Sequence, residues 1–186
     1  MKENIKLIIK ESIRVLIIAS IISSIGGLSI ESIKDKIMIF TPIIIMIPAL
    51  NGMIGDLAIV IVSKFTTLLY LKKIRRPLLR SHFIRHIVKE IIPIALFSAL
   101  YITILSYLFA VFKGFESNIT NFIYTFFIAA FTTFFLIIII LLVAILGSLY
   151  VYHKKENPDD LLIPITTSIA DAGSMILISY LVLTIL

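Results

Sequence analysis

The sequence contains no cysteine, and only 15% of its 186 residues are charged. Without cysteine, disulfide bonds and thiolate metal sites are excluded. The low charge accompanies 60% hydrophobic residues, an apolar share higher than a soluble domain of this length needs. The chain also lacks a long polar stretch, a low-complexity tract and a strong internal repeat. A soluble domain is therefore disfavoured.

Nucleic acid is not an expected partner despite the net charge of +6, because the basic residues cluster beside apolar runs, as at membrane edges.

Long apolar runs dominate what is present. A helix that crosses a bilayer needs about 20 apolar residues. Five runs meet or nearly meet this length and predict an all-α, multi-pass protein of the cell membrane; they cover residues 15–30, 37–71, 91–112, 119–152 and 161–186. Residues 1–14 predict an amphipathic interfacial helix that precedes a transmembrane domain of residues 15–186.

The second run is too long for one straight crossing. Its residues, 37–71, would measure about 52 Å as a helix, against a hydrocarbon core of about 30 Å. The run must therefore break, tilt or protrude. The candidate kink positions are Pro42, Pro48, Gly52 and Gly55.

The distribution of basic residues predicts the orientation. With the N-terminus inside, the inner segments 2–14, 72–89 and 154–155 carry thirteen basic residues, and the outer segments carry three. Positive charge is enriched on the inner side of membrane proteins. The sequence therefore predicts an inner N-terminus and an outer C-terminus.

Two carboxylates lie inside apolar runs. Asp171 is about ten residues into the last run and Asp56 about fifteen residues from the inner end of the second, so both are predicted near mid-membrane. A carboxylate at this depth costs roughly 2.5–3.5 kcal/mol and usually marks a partner, a proton relay or an ion path. We expect the two acids to line one cation path. The alternatives are a structural hydrogen bond or a proton relay for Asp171, and for Asp56 a charge pair with Lys64.

Further oxygen donors accompany these acids. Thr167, Ser168 and Ser174 share helical spacing with Asp171 on the last run, and Asn51 and Gly52 precede Asp56 on the second. Oxygen ligands suit Mg²⁺ and similar hard cations, whereas zinc or copper would favour histidine or cysteine. The predicted metal-contacting set is Asp171, Asp56, Asn51, Gly52, Thr167, Ser168 and Ser174. The stretch around Asn51 and Gly52 reads equally well as a helix kink.

Two motifs resemble those of the MgtE family and the related solute-carrier magnesium transporters. The first is PALNGMIGD at residues 48–56, which runs on to SKFTT at 63–67. The second is NPDD at 157–160 followed by PITTSIAD at 164–171. The resemblance implies a homodimer of five-helix subunits with a central pore lined by the second and fifth spans. It carries the pore aspartate to Asp171 and the polar second-span position, usually asparagine in bacterial members, to Asp56.

The sequence departs from the family pattern in two places. Asn157 stands where an aspartate is usual, and only about fourteen residues precede the first span, so gating by the family's cytoplasmic sensor domains is not expected. We therefore interpret the chain as a non-enzymatic channel or transporter for Mg²⁺ or another divalent cation. Its rivals are a membrane scaffold without transport and an intramembrane aspartyl protease. The protease reading lacks the Gly-x-Gly-Asp motif, because Met53, Ile54 and Gly55 precede Asp56.

Overall fold

The structure is a computed structural model that describes residues 2–71, 82–116, 118–154 and 156–185, with side chains described from residue 13 and again from residue 85. The described chain is helical. Its elements are α1 (Lys2–Glu31), α2 (Lys34–Ile39), α3 (Thr41–Tyr70), α4 (His82–Phe112), α5 (Ile119–His153) and α6 (Pro158–Ile185). All but α2 are long and apolar enough to cross a membrane, which confirms the prediction of five spans.

Three helices form the centre of the bundle. α3, α5 and α6 pack against one another in pairs, α4 packs on α3 and α5, and α1 packs on α6. The helices therefore form a row in the order α1, α6, α3, α4, and α5 covers one side of the last three. The core between them is aliphatic, with Met46, Ile61, Leu136, Ile140 and Ile178 among its fully buried members.

The long second run is divided at Phe40, as its length required. Phe40 leaves the helical conformation at φ −106° and ψ 71°, which separates the six-residue α2 from α3. Pro42 lies in the first turn of α3, where its missing N–H costs no helical hydrogen bond. The other candidate kink positions, Pro48, Gly52 and Gly55, lie within one continuous helix.

Two helices begin earlier than the apolar runs indicated. α4 starts at His82, so residues 82–89, predicted as part of a basic loop, are helical and Pro93 lies in the helix interior, not in its first turn. The charged residues favour a loop in the sequence pattern, but a helix can continue beyond its apolar, membrane-crossing part. The rest of that predicted loop, residues 72–81, lies outside the described residues. α1 runs without interruption across residue 14, the predicted end of the interfacial segment.

Polar side chains cap the short connections. The Asn118 side chain accepts a hydrogen bond from the Thr120 amide at 3.0 Å and begins α5. The Tyr107 hydroxyl donates to the Asn118 carbonyl at 2.6 Å and accepts from its amide at 2.8 Å, which ties α4 to this cap. At the other end of α5, the Asn157 side chain accepts from the Asp159 amide at 3.3 Å. α6 thus begins at Pro158, three residues before the last apolar run.

Candidate functional site

The contacts of three consecutive residues of α6, Ala172, Gly173 and Ser174, show which neighbouring helix each side of α6 faces. Gly26 of α1 lies so close to Ala172 that an added Cβ would be 2.6 Å from the Ala172 Cα. Gly173 faces Leu136 of α5, and Ser174 faces Asn51 of α3. Since successive helical residues are about 100° apart, Asp171 points to the fourth side, between α1 and α3 and opposite α5.

Asp171 is half-buried on this side of α6. The side chain of Ser23 on α1, which is also half-buried, lies beside its carboxylate as a polar neighbour. Because α1 and α6 approach closely at Gly26, this serine lies within reach of the acid. The spacing of the last run could not reveal Ser23, since the partner belongs to the first run.

The exposed surface of α3 mixes small and polar residues with large apolar ones. We call the small and polar set the α3 stripe; its exposed members are Pro48, Ala49, Gly52, Asp56, Lys64 and Thr67, and Ser63 is half-buried beside them. The exposed apolar side chains of the same helix are Ile44, Ile59, Val60 and Tyr70. The exposed surfaces of α1 and α5 carry large apolar side chains such as Ile21, Leu28, Phe127 and Phe134. The α3 stripe borders a groove of about 540 Å³ in which Asp56 is joined by Ser98 and Tyr101 of α4.

Asp56 and Asp171 lie on the same open side of the bundle. The α3 stripe borders the seam with α4 and is exposed on the side of α3 opposite α5, and Asp171 points to the same side of the bundle. Asp171 is three residues from Ser174, about 4.5 Å along the helix, and Asp56 is five residues from Asn51, about 7.5 Å. Because α3 and α6 are antiparallel, both offsets run in the same direction, and the two acids differ in depth by only about 3 Å.

The predicted hydroxyl donors of α6 bond to their own helix. Thr167 donates to the carbonyls of Ile163 and Pro164 at 2.9 and 3.1 Å, and Ser168 donates to that of Pro164 at 2.7 Å. These back-bonds are typical of serine and threonine in apolar helices. They use the hydroxyl protons and leave oxygen lone pairs available.

Asn51 and Ser174 meet each other. The Ser174 hydroxyl is hydrogen-bonded to the Asn51 side-chain carbonyl, and both side chains are buried between α6 and α3. Gly52, the next residue, is exposed, and an added Cβ there would meet no atom within 4 Å. The predicted set thus divides by burial: Asn51, Ser174 and Ser168 are buried, Thr167 and Asp171 are half-buried, and Gly52 and Asp56 are exposed.

An ion pair that the sequence reasoning missed lies on the seam between α3 and α4. The Lys64 ammonium is 3.1 Å from one carboxylate oxygen of Glu90, and the His86 ring lies 3.1 Å from the other. Asp56 was the charge partner expected for Lys64. Glu90 directly precedes the third apolar run, whereas Lys64 lies within the second, so the pattern of either run alone could not reveal that the two side chains meet.

The donors of one protomer do not enclose a metal ion. Across the described residues, no three His, Cys, Asp or Glu side chains converge on one point. The open side instead offers separated carboxylates with hydroxyl and carbonyl oxygens around them. That arrangement suits a mostly hydrated cation, which needs few direct ligands.

A family model, MgtE: Divalent cation transporter, matches residues 47–181. The match covers more than half of the chain and includes both motif regions. The chain belongs to the MgtE family. Searches of curated proteins and of solved structures found no significant match. With its five membrane-crossing helices, this MgtE-family chain is a multi-pass membrane protein of a divalent cation transporter family.

The residues matched by the family model include those on the open side of the bundle. The match begins at residue 47, so it includes nearly all of α3 and most of α6, with Asp56 and Asp171, and excludes α1 with Ser23.

Proposed function

We propose that this chain moves Mg²⁺ across the membrane as a homodimer, through a path lined by α3 and α6 of both subunits. The observation that carries the proposal is the α3 stripe. A helix face that looks into lipid rarely carries a carboxylate, whereas this one exposes Gly52 and Asp56 near mid-helix, beside the apolar Ile59 and Val60. A water-filled path accounts for such a face.

A second subunit accounts for the open side. One protomer leaves the groove at Asp56 uncovered, and an exposed carboxylate in hydrocarbon costs roughly 2.5–3.5 kcal/mol. Pairing two open sides about a two-fold axis removes this cost and encloses a polar path. Large apolar side chains on α1 and α5 then remain in contact with lipid.

The chemistry of the path follows from its acids. Two copies of Asp56 and Asp171 at nearly one depth provide four carboxylates around the axis. Mg²⁺ loses its water reluctantly, so these groups attract and orient a hydrated ion with few direct bonds. Weak, shared contacts let the ion leave again, as conduction requires. The lone pairs of the half-buried Thr167 supply a further acceptor for the water of the ion, whereas Ser168 is buried and acts through helix packing. The paired Asn51 and Ser174 bind no ion directly in this scheme and act through helix position.

The proposed orientation keeps the N-terminus inside and the C-terminus outside. Tyr70 and Tyr152 stack edge to face at the end of α3 that precedes residues 72–81, and Lys154 lies 4.5 Å from the Tyr150 ring nearby. Aromatic and basic side chains are typical of the inner membrane interface. In this orientation residues 1–14 begin at the inner surface.

A scaffold without transport would not need a polar exposed stripe, and the transporter family disfavours an intramembrane protease.

The deciding experiment measures Mg²⁺ flux into liposomes that contain the purified protein, with Asp171→Ala alongside. We expect flux in the wild type and none in the variant, while the dimer stays folded. Asp35→Asn, which removes an exposed carboxylate of α2, is the control and retains flux. Normal flux in Asp171→Ala would overturn the assignment. No flux in the wild type would move the proposal first to another divalent cation and then to the scaffold.

A further inference from the structure

Lys64 is the single basic residue of α3, the helix Thr41–Tyr70. It belongs to the α3 stripe that also carries Asp56, eight residues and about 12 Å away along the helix. Ser63 and Thr67 accompany it, and together they border a second groove of about 410 Å³ on the same seam with α4. A positive charge therefore stands beside the proposed cation path.

Glu90 of α4 cancels this charge. Its carboxylate is 3.1 Å from the Lys64 ammonium, and the two side chains remain 43% and 46% exposed in the protomer. An ion pair on an exposed surface contributes little to stability. Its position on the polar stripe indicates an electrostatic role, because an unpaired ammonium repels a divalent cation over the width of a narrow path.

The geometry points to Glu90 as a further residue of the transport path: it neutralises Lys64 and so permits divalent cations to pass the α3–α4 seam. This inference rests on the proposed transport function. Glu90 lies outside the second and fifth spans, so no pore role was expected for it. His86 holds the other carboxylate oxygen at 3.1 Å and orients the acid toward Lys64.

The pair makes an asymmetric prediction. With Glu90→Gln, Lys64 is left uncompensated, and divalent cation flux should fall about tenfold. Lys64→Gln should leave flux at or above the wild-type level, because the freed Glu90 attracts cations. The double variant Lys64→Gln/Glu90→Gln should recover flux to within about twofold of the wild type. A purely structural pair would instead make both single variants equally harmful.

The experiment measures Mg²⁺ flux into liposomes for the wild type and these three variants, together with the thermal stability of each. Lys89→Gln is the matched control, since it removes an exposed positive charge next to Glu90 in sequence, and it should not change flux. If the wild type transports Mg²⁺ and Glu90→Gln transports it equally fast, the role of Glu90 is overturned while the proposed function stands. Equal losses in both single variants without recovery in the double variant would also overturn it. Absence of flux in the wild type would refute the proposed function itself, with which this inference would fall.

Discussion

The hydroxyl of Ser174 is hydrogen-bonded to the side-chain carbonyl of Asn51, and this bond joins α6 to α3 in the interior of the bundle. Both side chains are buried. In a bilayer no water replaces a lost partner, so the Asn51 carbonyl depends on Ser174, whose hydroxyl also lies 2.9 Å from the Asp171 carbonyl of its own helix. The pair fixes the depth of α6 against α3 and thereby sets Asp171 and Asp56 at nearly the same level.

Removing either partner should weaken the contact between α3 and α6. We expect Asn51→Ala and Ser174→Ala each to destabilise the fold, and their coupling energy to be about 0.5–2 kcal/mol. The measurement is the free energy of unfolding in mixed micelles for both single variants and the double variant. Thr167→Ala is the control, because its hydroxyl bonds to its own helix and should add independently to Asn51→Ala. Strict additivity of Asn51→Ala and Ser174→Ala would refute the pairing.

A second prediction concerns the close packing of α1 against α6. An added Cβ at Gly26 would lie 2.6 Å from the Ala172 backbone, whereas at the adjacent Gly27 it would meet nothing within 4 Å. Gly26→Ala should therefore force the two helices apart, at a cost of about 1–3 kcal/mol. Gly27→Ala should be neutral or slightly stabilising, since alanine favours helix.

Thermal unfolding of the two variants checks this directly. Separation of α1 from α6 also withdraws Ser23 from Asp171, so Gly26→Ala should lower flux as well as stability. Equal melting temperatures for Gly26→Ala and Gly27→Ala would contradict the packing.

Much of the fold was predictable because long apolar runs leave few alternatives in a membrane. The five spans follow from run length. A break was one of three outcomes expected for the second run, and of its four candidate kink positions only Pro42 lies beside the break. The beginning of α4 at His82 did not, since the sequence pattern marks where lipid ends and not where a helix ends. The family was predictable from the motifs around Asp56 and Asp171, because both carry unusual polar residues at fixed spacing.

The candidate site was predictable only in part. The depth of Asp171 and Asp56 follows from counting residues, and the structure places them on one open side. The partners of the polar residues depend on how helices rotate against one another, which no single run contains. Asn51 and Ser174 were therefore both assigned to the ion although they meet each other, and Ser23 and Glu90 were missed because they belong to other helices.

A third prediction concerns Gly52 on the α3 stripe. Gly52 is exposed, and an added Cβ there meets no atom within 4 Å, so Gly52→Leu should leave the protomer folded. If the stripe lines a path, the leucine side chain narrows the path and excludes water from it. Mg²⁺ flux should then fall at least about tenfold. Gly27→Leu places the same side chain on the exposed surface of α1 and should retain flux. Unaltered flux in Gly52→Leu, with normal melting, would exclude this face from the path.

The last prediction uses the absence of cysteine, because one introduced cysteine is then the only thiol of the chain. Ala49 is exposed on the α3 stripe about two turns from Asp56, and Phe134 is exposed on the apolar surface of α5. A charged, water-soluble thiol reagent reacts with the thiolate, which forms in water and not in hydrocarbon. Ala49→Cys in liposomes should therefore be labelled and its flux blocked by the label, whereas Phe134→Cys should stay unlabelled. An unlabelled Ala49→Cys beside a reactive Phe134→Cys would mean that the polar stripe faces lipid and that α5 faces the path. The homodimer would then have to pair through the opposite side of the bundle, and Asp171 would lose its place beside the ion.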